Sequence, residues 1–200
     1  MSTLEVGKIV PATGTAITLG ESGDTLTVPS GATLAVASGG TLANSGTATG
    51  FGGNNPSFSA YNPADQGLTT GAYVKITATT ELYDVGSCYY AANAKFIVPA
   101  GEGGKYVVWT RSTVAEDGGS TVMHQMGQWI YLNGSASWKI YWATPANSTQ
   151  AQDQTFFGVL DLSAADYLEW YIWSGFSSGT VVATGGPAYG NWGAFKLAGA

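Results

Sequence analysis

Residues 128–142 read QWIYLNGSASWKIYW and predict one β-hairpin. Asn133-Gly134 favours a two-residue hairpin turn, and apolar or aromatic residues recur at alternate positions on either side of it. Because successive strand residues point to opposite faces, Trp138 and Trp142 are expected on one face and Tyr141 on the other. One face must belong to the core, and the other is free to form a binding surface.

The chain around this hairpin continues in the same manner. Short stretches rich in aromatic and β-branched residues are separated by clusters of Gly, Pro, Asn and Asp, which is typical of a β-sandwich. Helical periodicity is minimal. The sequence therefore predicts an all-β domain with strands at residues 58–61, 73–77, 95–98, 105–114, 128–132, 137–142, 155–160, 167–173, 179–183 and 189–197.

A different pattern, a repeat of eight residues, fills the first quarter of the chain. Residues 25–32 and 33–40 each carry two apolar side chains at alternate positions followed by Ser-Gly, and residues 41–46 form a shortened copy. Two aliphatic side chains bury too little surface to offset the entropy lost in ordering eight residues. We therefore expect a thin β-stem that is stabilised by other copies of the chain, with an interface formed by Leu26, Val28, Leu34, Val36 and Leu42.

Composition excludes several classes of protein. A hydrophobic content of 44% with 10% charged residues is not that of a disordered chain, and a net charge of −6 with seven basic residues argues against nucleic-acid binding. Cys88 is the sole cysteine, so neither an intrachain disulfide nor a structural zinc site is expected. We expect no cofactor. No apolar run approaches the ~20 residues of a membrane span, so no membrane insertion is expected.

Composition also divides the chain, since every Trp and Tyr lies beyond residue 56. We predict an N-terminal attachment segment at residues 1–15, the repetitive stem at 16–48, a linker at 49–56 and a globular knob at 57–200. The first residues lack the basic start and apolar core of a signal peptide. We therefore expect that the protein is synthesised in a cytoplasm.

Eight segments between Phe58 and Leu197 carry a resemblance to a known family. Phe58-Ser59-Ala60-Tyr61 and Phe96-Ile97-Val98-Pro99-Ala100 resemble the front half of a C1q/TNF-like jelly-roll domain. Gly158-Val159-Leu160-Asp161-Leu162 and Gly193-Ala194-Phe195-Lys196-Leu197 resemble its back half. The resemblance implies a ten-stranded protomer and a homotrimer. We expect Phe58 and Tyr61 at the trimer interface.

The N-terminus resembles a second group of proteins. Leu4-Glu5-Val6 and Pro11-Ala12-Thr13-Gly14-Thr15 are similar to the openings of tail-fibre proteins of tailed bacteriophages. This resemblance implies a virion protein that docks onto other virion proteins through its N-terminus. Its knob would bind a glycan or an outer-membrane protein on the host surface.

For the receptor-binding site we expect Tyr141, Trp142 and Trp138, because aromatic residues with polar handles are enriched at binding surfaces. A place for these residues in the core or at the trimer interface is the competing interpretation. Two other functions stay open: a capsid decoration fibre or tail joint without a receptor, and a polysaccharide depolymerase.

The motifs that suggest chemistry are better explained as turns. Gly175-Phe176-Ser177-Ser178-Gly179 fits a nucleophile elbow, but a strand pattern follows it and the sole histidine, His124, precedes it. Gly101-Glu102-Gly103-Gly104-Lys105 lacks the first glycine of a phosphate-binding loop. Asp161, Asp166 and Glu169 flank a predicted turn. We therefore expect no enzymatic activity, no catalytic residue and no metal site.

Overall fold

The computed structural model describes Ile9 and residues 14–43, 54–117, 123–143 and 151–197. The chain divides into two compact units, Met1–Thr49 and Gly50–Ala200. Most of the predicted attachment segment (residues 1–15) and of the predicted linker (residues 49–56) lies outside the described residues.

In the first unit, residues 14–43 form a series of turns spaced eight residues apart. The backbone N–H groups of Asp24, Ala32 and Gly40 donate to the carbonyl oxygens of the third residue before them, over 3.1, 3.0 and 2.8 Å. Each turn has a Ser-Gly pair at its centre, and the glycine has a φ of +83° to +96° that residues with a side chain rarely adopt. The predicted Ser-Gly turns are thus confirmed. Within a single chain, these described residues contain no strand.

The second unit is built from antiparallel strands. In the described part of this unit all ten predicted strands are present, together with β2, β4 and β5, which the sequence pattern missed. The strands are β1 (Ser57–Tyr61), β2 (Gln66–Leu68), β3 (Tyr73–Lys75), β4 (Thr80–Val85), β5 (Tyr89–Tyr90), β6 (Lys95–Ile97), β7 (Gly104–Glu116), β8 (Met123–Leu132), β9 (Ser135–Ala143), β10 (Ala151–Leu162), β11 (Tyr167–Phe176), β12 (Val181–Ala183) and β13 (Gly190–Lys196). A short 3₁₀ turn, Ala91–Asn93, is the helical segment of this part.

These strands form two sheets. The first sheet has the order β2-β12-β7-β13-β1-β4, with β10 paired along the other side of β7. The second sheet has the order β5-β6-β11-β8-β9, with β3 paired to β11. The predicted hairpin is β8–β9, in which Leu132 pairs with Ser135 around the Asn133-Gly134 turn. Buried side chains from both sheets form one hydrophobic cluster, so the two sheets pack as one sandwich.

The core lies between the sheets and is rich in aromatic rings. Phe58 is fully buried, stacks on Tyr89 at 4.5 Å between ring centroids, and meets the edge of Trp192 at 4.9 Å. Its side chain therefore cannot line an interface between chains, where the sequence placed it. The reason is register: Phe58 points inward on β1, and Tyr61, three positions later, is partly exposed.

A polar group is built into this core between the sheets. Gln128 donates from Nε2 to the Gln154 carbonyl oxygen at 2.8 Å and accepts from Trp170 Nε1 at 2.9 Å. Gln154 in turn donates from Nε2 to the Met126 carbonyl oxygen at 3.3 Å. These bonds satisfy the buried indole N–H of Trp170, which would otherwise be costly to remove from water.

Candidate ligand-binding face

Six aromatic side chains lie together on the side of the second sheet that faces away from the core. They come from four neighbouring strands, β3, β11, β8 and β9, and alternate along each strand with inward residues such as Trp170 and Ile130. We call this surface the aromatic face, and its members are Tyr73, Trp129, Tyr131, Tyr141, Tyr171 and Trp173.

Pairing register brings these residues into rows across the sheet. Tyr73 pairs with Trp173, which pairs with Gly127, which pairs with Tyr141. In the next row Tyr171 pairs with Trp129. Residues that pair directly across strands lie close enough for their side chains to touch.

The rings form one continuous chain of contacts. Centroid separations are 5.9 Å from Trp173 to Tyr141, 6.2 Å from Tyr141 to Trp129 and 5.0 Å from Trp129 to Tyr73. The chain continues over 6.2 Å from Tyr73 to Tyr131, which stacks on Tyr171 at 4.1 Å. Edge and stacked ring contacts of this kind stabilise one arrangement of the surface.

Two glycines set the position of the tryptophans. A Cβ atom on Gly127 would lie 2.2 Å from the Trp129 ring, and one on Gly175 would lie 3.1 Å from the Trp173 ring. Each indole therefore occupies the space directly above a glycine of its own strand. The absence of these two side chains lets the rings lie against the sheet.

The aromatic face is open to solvent at Tyr73 and Tyr141, which are 50% and 45% exposed. Trp129 is buried beneath its neighbours. Burial raises the pKa of Tyr131, and burial followed by the charge of Glu169 raises the pKa of Tyr171. The hydroxyls of Tyr131 and Tyr171 therefore stay protonated at neutral pH and serve as hydrogen-bond donors and acceptors.

A cleft of about 520 Å³ adjoins the aromatic face. It is lined by Lys75, Thr77, Thr79, Ala92, Asn93, Ala94, Lys95 and Glu169, and we call it the basic cleft. Lys75 Nζ lies 2.6 Å from Glu169 Oε1, and Lys95 Nζ lies 3.8 Å from the same oxygen and 3.9 Å from the centre of the Tyr167 ring. Two lysines thus share one buried carboxylate.

The structure separates the three residues that the sequence predicted for receptor binding. Tyr141 belongs to the aromatic face, whereas Trp138 and Trp142 pack against the hydrophobic core on the other side of β9. Their role in receptor binding stays a prediction. Trp129 and Tyr131 lie on the predicted hairpin but were not named for receptor binding. Tyr73, Tyr171 and Trp173 were missed, although Tyr171 and Trp173 are at alternate positions that indicate a shared face.

A second exposed surface lies on the outer side of the first sheet. Two rows cross β10, β7, β13, β1 and β4 there, and they end in large apolar side chains. Phe157 and Val159 are 70% and 54% exposed. We call this surface the apolar face, and its members are Tyr83, Val85, Trp109, Phe157, Val159 and Phe195.

The motifs that suggested chemistry are turns and core residues. The segment after Phe176 bends directly into β12, and Glu102 sits in the turn before β7 and pairs with Lys196 at 3.0 Å. Cys88 is buried, and its Sγ donates to Asp84 Oδ1 at 3.2 Å. In residues 14–43, 54–117, 123–143 and 151–197, no three His, Cys, Asp or Glu side chains are grouped to hold a metal ion. The same residues contain no helix long and apolar enough to cross a membrane.

Known structures share this fold. A crystal structure of murine APRIL at pH 8.0 aligns with a TM-score of 0.50 and 14% identity over 70% of this chain and 98% of that chain. The globular domain of zebrafish complement 1qA aligns with a TM-score of 0.49 and 10% identity over 72% and 98%. The Eiger TNF of S. frugiperda aligns with a TM-score of 0.49 and 12% identity over 73% and 96%.

No protein-family model matches the sequence, and no curated protein matches it. At identities this low, structural similarity establishes the fold alone. The all-β architecture predicted from the sequence is confirmed, and the globular unit of this chain has the C1q/TNF-like jelly-roll fold.

Proposed function

We propose that this chain is the subunit of a homotrimeric bacteriophage fibre whose globular knob attaches the particle to the host cell surface. The observation that carries the proposal is the aromatic face, a set of six touching rings that the core does not use. Aromatic side chains with polar tips are the residues that most often contribute binding energy at protein surfaces. Attachment of this kind requires binding and no catalysis.

Self-association through the apolar face supports the trimer. Phe157, Val159, Tyr83 and Val85 are each more than two-fifths exposed in a single chain. Large apolar side chains exposed close together on one sheet usually mark an interaction site. Other copies of the same chain are always present, so they are available to cover this surface.

The stem supports the same assembly. Its apolar side chains recur every eight residues, and their exposure ranges from 44% at Ile17 to 71% at Leu26. Among the described residues of the stem, a large part of each of these side chains is exposed: Leu26, Val28, Leu34, Val36 and Leu42. Three stems held by a trimeric knob would bury these rows against one another.

Multivalency explains how such a protein functions without a tight single site. A trimer presents three aromatic faces, and linked sites convert later binding events into intramolecular ones. The likeness of residues 4–15 to tail-fibre openings supports the phage setting and docking onto other virion proteins. The partner on the host is a surface glycan or an outer-membrane protein.

Competition for adsorption tests this proposal. The purified full chain, added to host cells before the virus that carries it, is expected to reduce adsorption in proportion to the sites it occupies. The Tyr73→Ala/Tyr141→Ala double variant should compete at least about tenfold less well. Absence of competition at saturating protein would contradict a receptor role and favour a decoration fibre or tail joint.

A further inference from the structure

The outward side of the second sheet is positively charged, although the chain as a whole carries a net charge of −6. The five strands β3, β6, β8, β9 and β11 contain three lysines and one glutamate and no other Lys, Arg, Asp or Glu: Lys75, Lys95, Lys139 and Glu169. Inward neighbours such as Phe96 and Leu168 are buried, so these four side chains lie on the same outer side as the aromatic face. A local charge of +2 in an acidic protein favours an anionic ligand at this surface.

The basic cleft concentrates part of this charge in a concave site. Its two lysines outnumber its single carboxylate, and its volume of about 520 Å³ is in the range of small-molecule sites. Thr77, Thr79 and Asn93 add neutral polar side chains to its lining. The site therefore offers both cations and hydrogen-bonding groups to one ligand.

The basic cleft and the aromatic face are continuous. Lys75 on β3 pairs with Tyr171 on β11, and Glu169 pairs with Tyr131 on β8. A ligand anchored at the lysines thus lies next to the stacked pair of Tyr131 and Tyr171. Such a ligand needs an anionic group beside a flat, partly apolar body.

We propose that this combined surface binds a saccharide that carries a carboxylate, such as a uronic or sialic acid unit of a cell-surface polysaccharide. The carboxylate pairs with Lys95 and Lys75, the apolar face of a sugar ring stacks on the aromatic face, and Glu169 accepts hydrogen bonds from sugar hydroxyls. Glu169 is 8% exposed and, when ionised, only accepts hydrogen bonds, which suits hydroxyl donors. The inference rests on the proposed adhesive function and names its ligand.

Binding to paired oligosaccharides tests the inference. The affinity of the full chain is measured for immobilised oligogalacturonate, oligoglucuronate and oligosialic acid. Each affinity is compared with that for the carboxyl-reduced form of the same oligosaccharide. We expect at least one acidic form to bind about tenfold or more tightly than its reduced partner, with the difference shrinking as salt is raised. Equal binding within every pair, or no binding to any of them, would overturn the inference.

The adsorption assay distinguishes the two proposals. If no acidic saccharide is preferred while the chain still blocks virus adsorption, adhesion stands and the acidic saccharide is excluded. If the chain neither prefers an acidic form nor blocks adsorption, both proposals fail.

Three variants locate the site. Lys95→Met keeps the Lys75–Glu169 pair and should weaken binding of the acidic form about tenfold while leaving the reduced form unchanged. Glu169→Gln removes the competing negative charge but keeps an acceptor oxygen for the sugar hydroxyls. It should therefore tighten binding of the acidic form about threefold, a gain that misfolding cannot produce. Lys105→Met, on β7 of the first sheet, is the matched control and should change nothing. Equal weakening of both forms by Lys95→Met would contradict the proposed site.

Discussion

At the scale of single residues, two buried polar groups make this core specific. Gln128 bridges the two sheets by bonding Trp170 of β11 and the Gln154 carbonyl of β10. Cys88 is fully buried, and its thiol and backbone N–H both donate to the Asp84 carboxylate. Replacing either residue is expected to change the free energy of unfolding in a measurable way.

Replacing Gln128 by alanine should destabilise the fold. The change orphans the buried Trp170 N–H and the Gln154 carbonyl, at a cost of about 1–3 kcal/mol for each group. We expect the free energy of unfolding, measured by urea titration, to fall by about 2–6 kcal/mol. Gln152→Ala, which removes a bond to the adjacent Asp153 carbonyl, should change it by less than about 0.5 kcal/mol. Equal losses in the two variants would show that the buried bridge contributes nothing.

Cys88 should make stability fall at high pH. Burial, and then the hydrogen bond to Asp84, raises the pKa of its thiol above the ordinary value of 9.0. The folded chain holds this proton while the unfolded chain releases it, so the contribution is complete below pH 9.0 and is lost as the pH rises beyond that value. Between pH 9 and 10 the wild type should lose about 1 kcal/mol more of its unfolding free energy than Cys88→Ala does. Parallel pH curves for the two proteins would contradict this.

At the scale of elements, glycines decide how the strands present their aromatic residues. Gly127 on β8 and Gly175 on β11 leave room for an indole to lie on the outer side of the second sheet. On the first sheet, a Cβ atom on Gly193 of β13 would lie 2.2 Å from the Trp109 ring. On both sheets, therefore, a glycine leaves room for a tryptophan ring on the outer face.

Gly127→Ala should displace Trp129 from its position. The new Cβ atom would lie 2.2 Å from the indole and 3.0 Å from the Ile140 carbonyl oxygen, so the ring must move. We expect a loss of about 1–3 kcal/mol in unfolding free energy and an altered near-ultraviolet circular dichroism spectrum. Gly67→Ala on β2 is the control, since a Cβ atom there meets nothing within 4 Å. An unchanged spectrum for Gly127→Ala would refute the packing described here.

The sequence specifies the strands far better than it specifies which side of each strand is buried. Turn residues and alternation located ten strands, but β4 was missed because Glu81 and Asp84 interrupt its apolar pattern. On β11, Trp170 and Trp173 belong to opposite faces, and nothing in their chemistry says which one is inside. That choice depends on which sheet lies opposite, a tertiary property that alternation alone cannot supply. The candidate site was therefore predicted through Tyr141 alone.

At the scale of the whole molecule, the proposed function assigns different tasks to the two sheets of the globular unit. The apolar face of the first sheet suits contact with other copies, while the aromatic face and the basic cleft of the second sheet suit a ligand. Under this proposal, self-association through one sheet leaves the other open in the assembled state. Such a division is what the proposed adhesive trimer requires.

Phe157→Asp should weaken the assembly through the apolar face. The side chain is 70% exposed in one chain, so the change costs the isolated protomer little, while a charge buried in an interface without a partner is strongly unfavourable. Size-exclusion chromatography with light scattering should show dissociation at micromolar protein. Ser137→Asp, exposed on β9 of the second sheet, is the control and should keep the mass of the wild type. Dissociation of both variants, or of neither, would argue against the apolar face as the interface.

The solution mass of the full chain tests the central claim of trimeric assembly most directly. Sedimentation equilibrium should give about 60 kDa, three times the 20.6 kDa of one chain, across the micromolar range. A mass of 20.6 kDa at every concentration would mean that both the apolar face and the stem stay uncovered. That result would contradict the trimeric fibre.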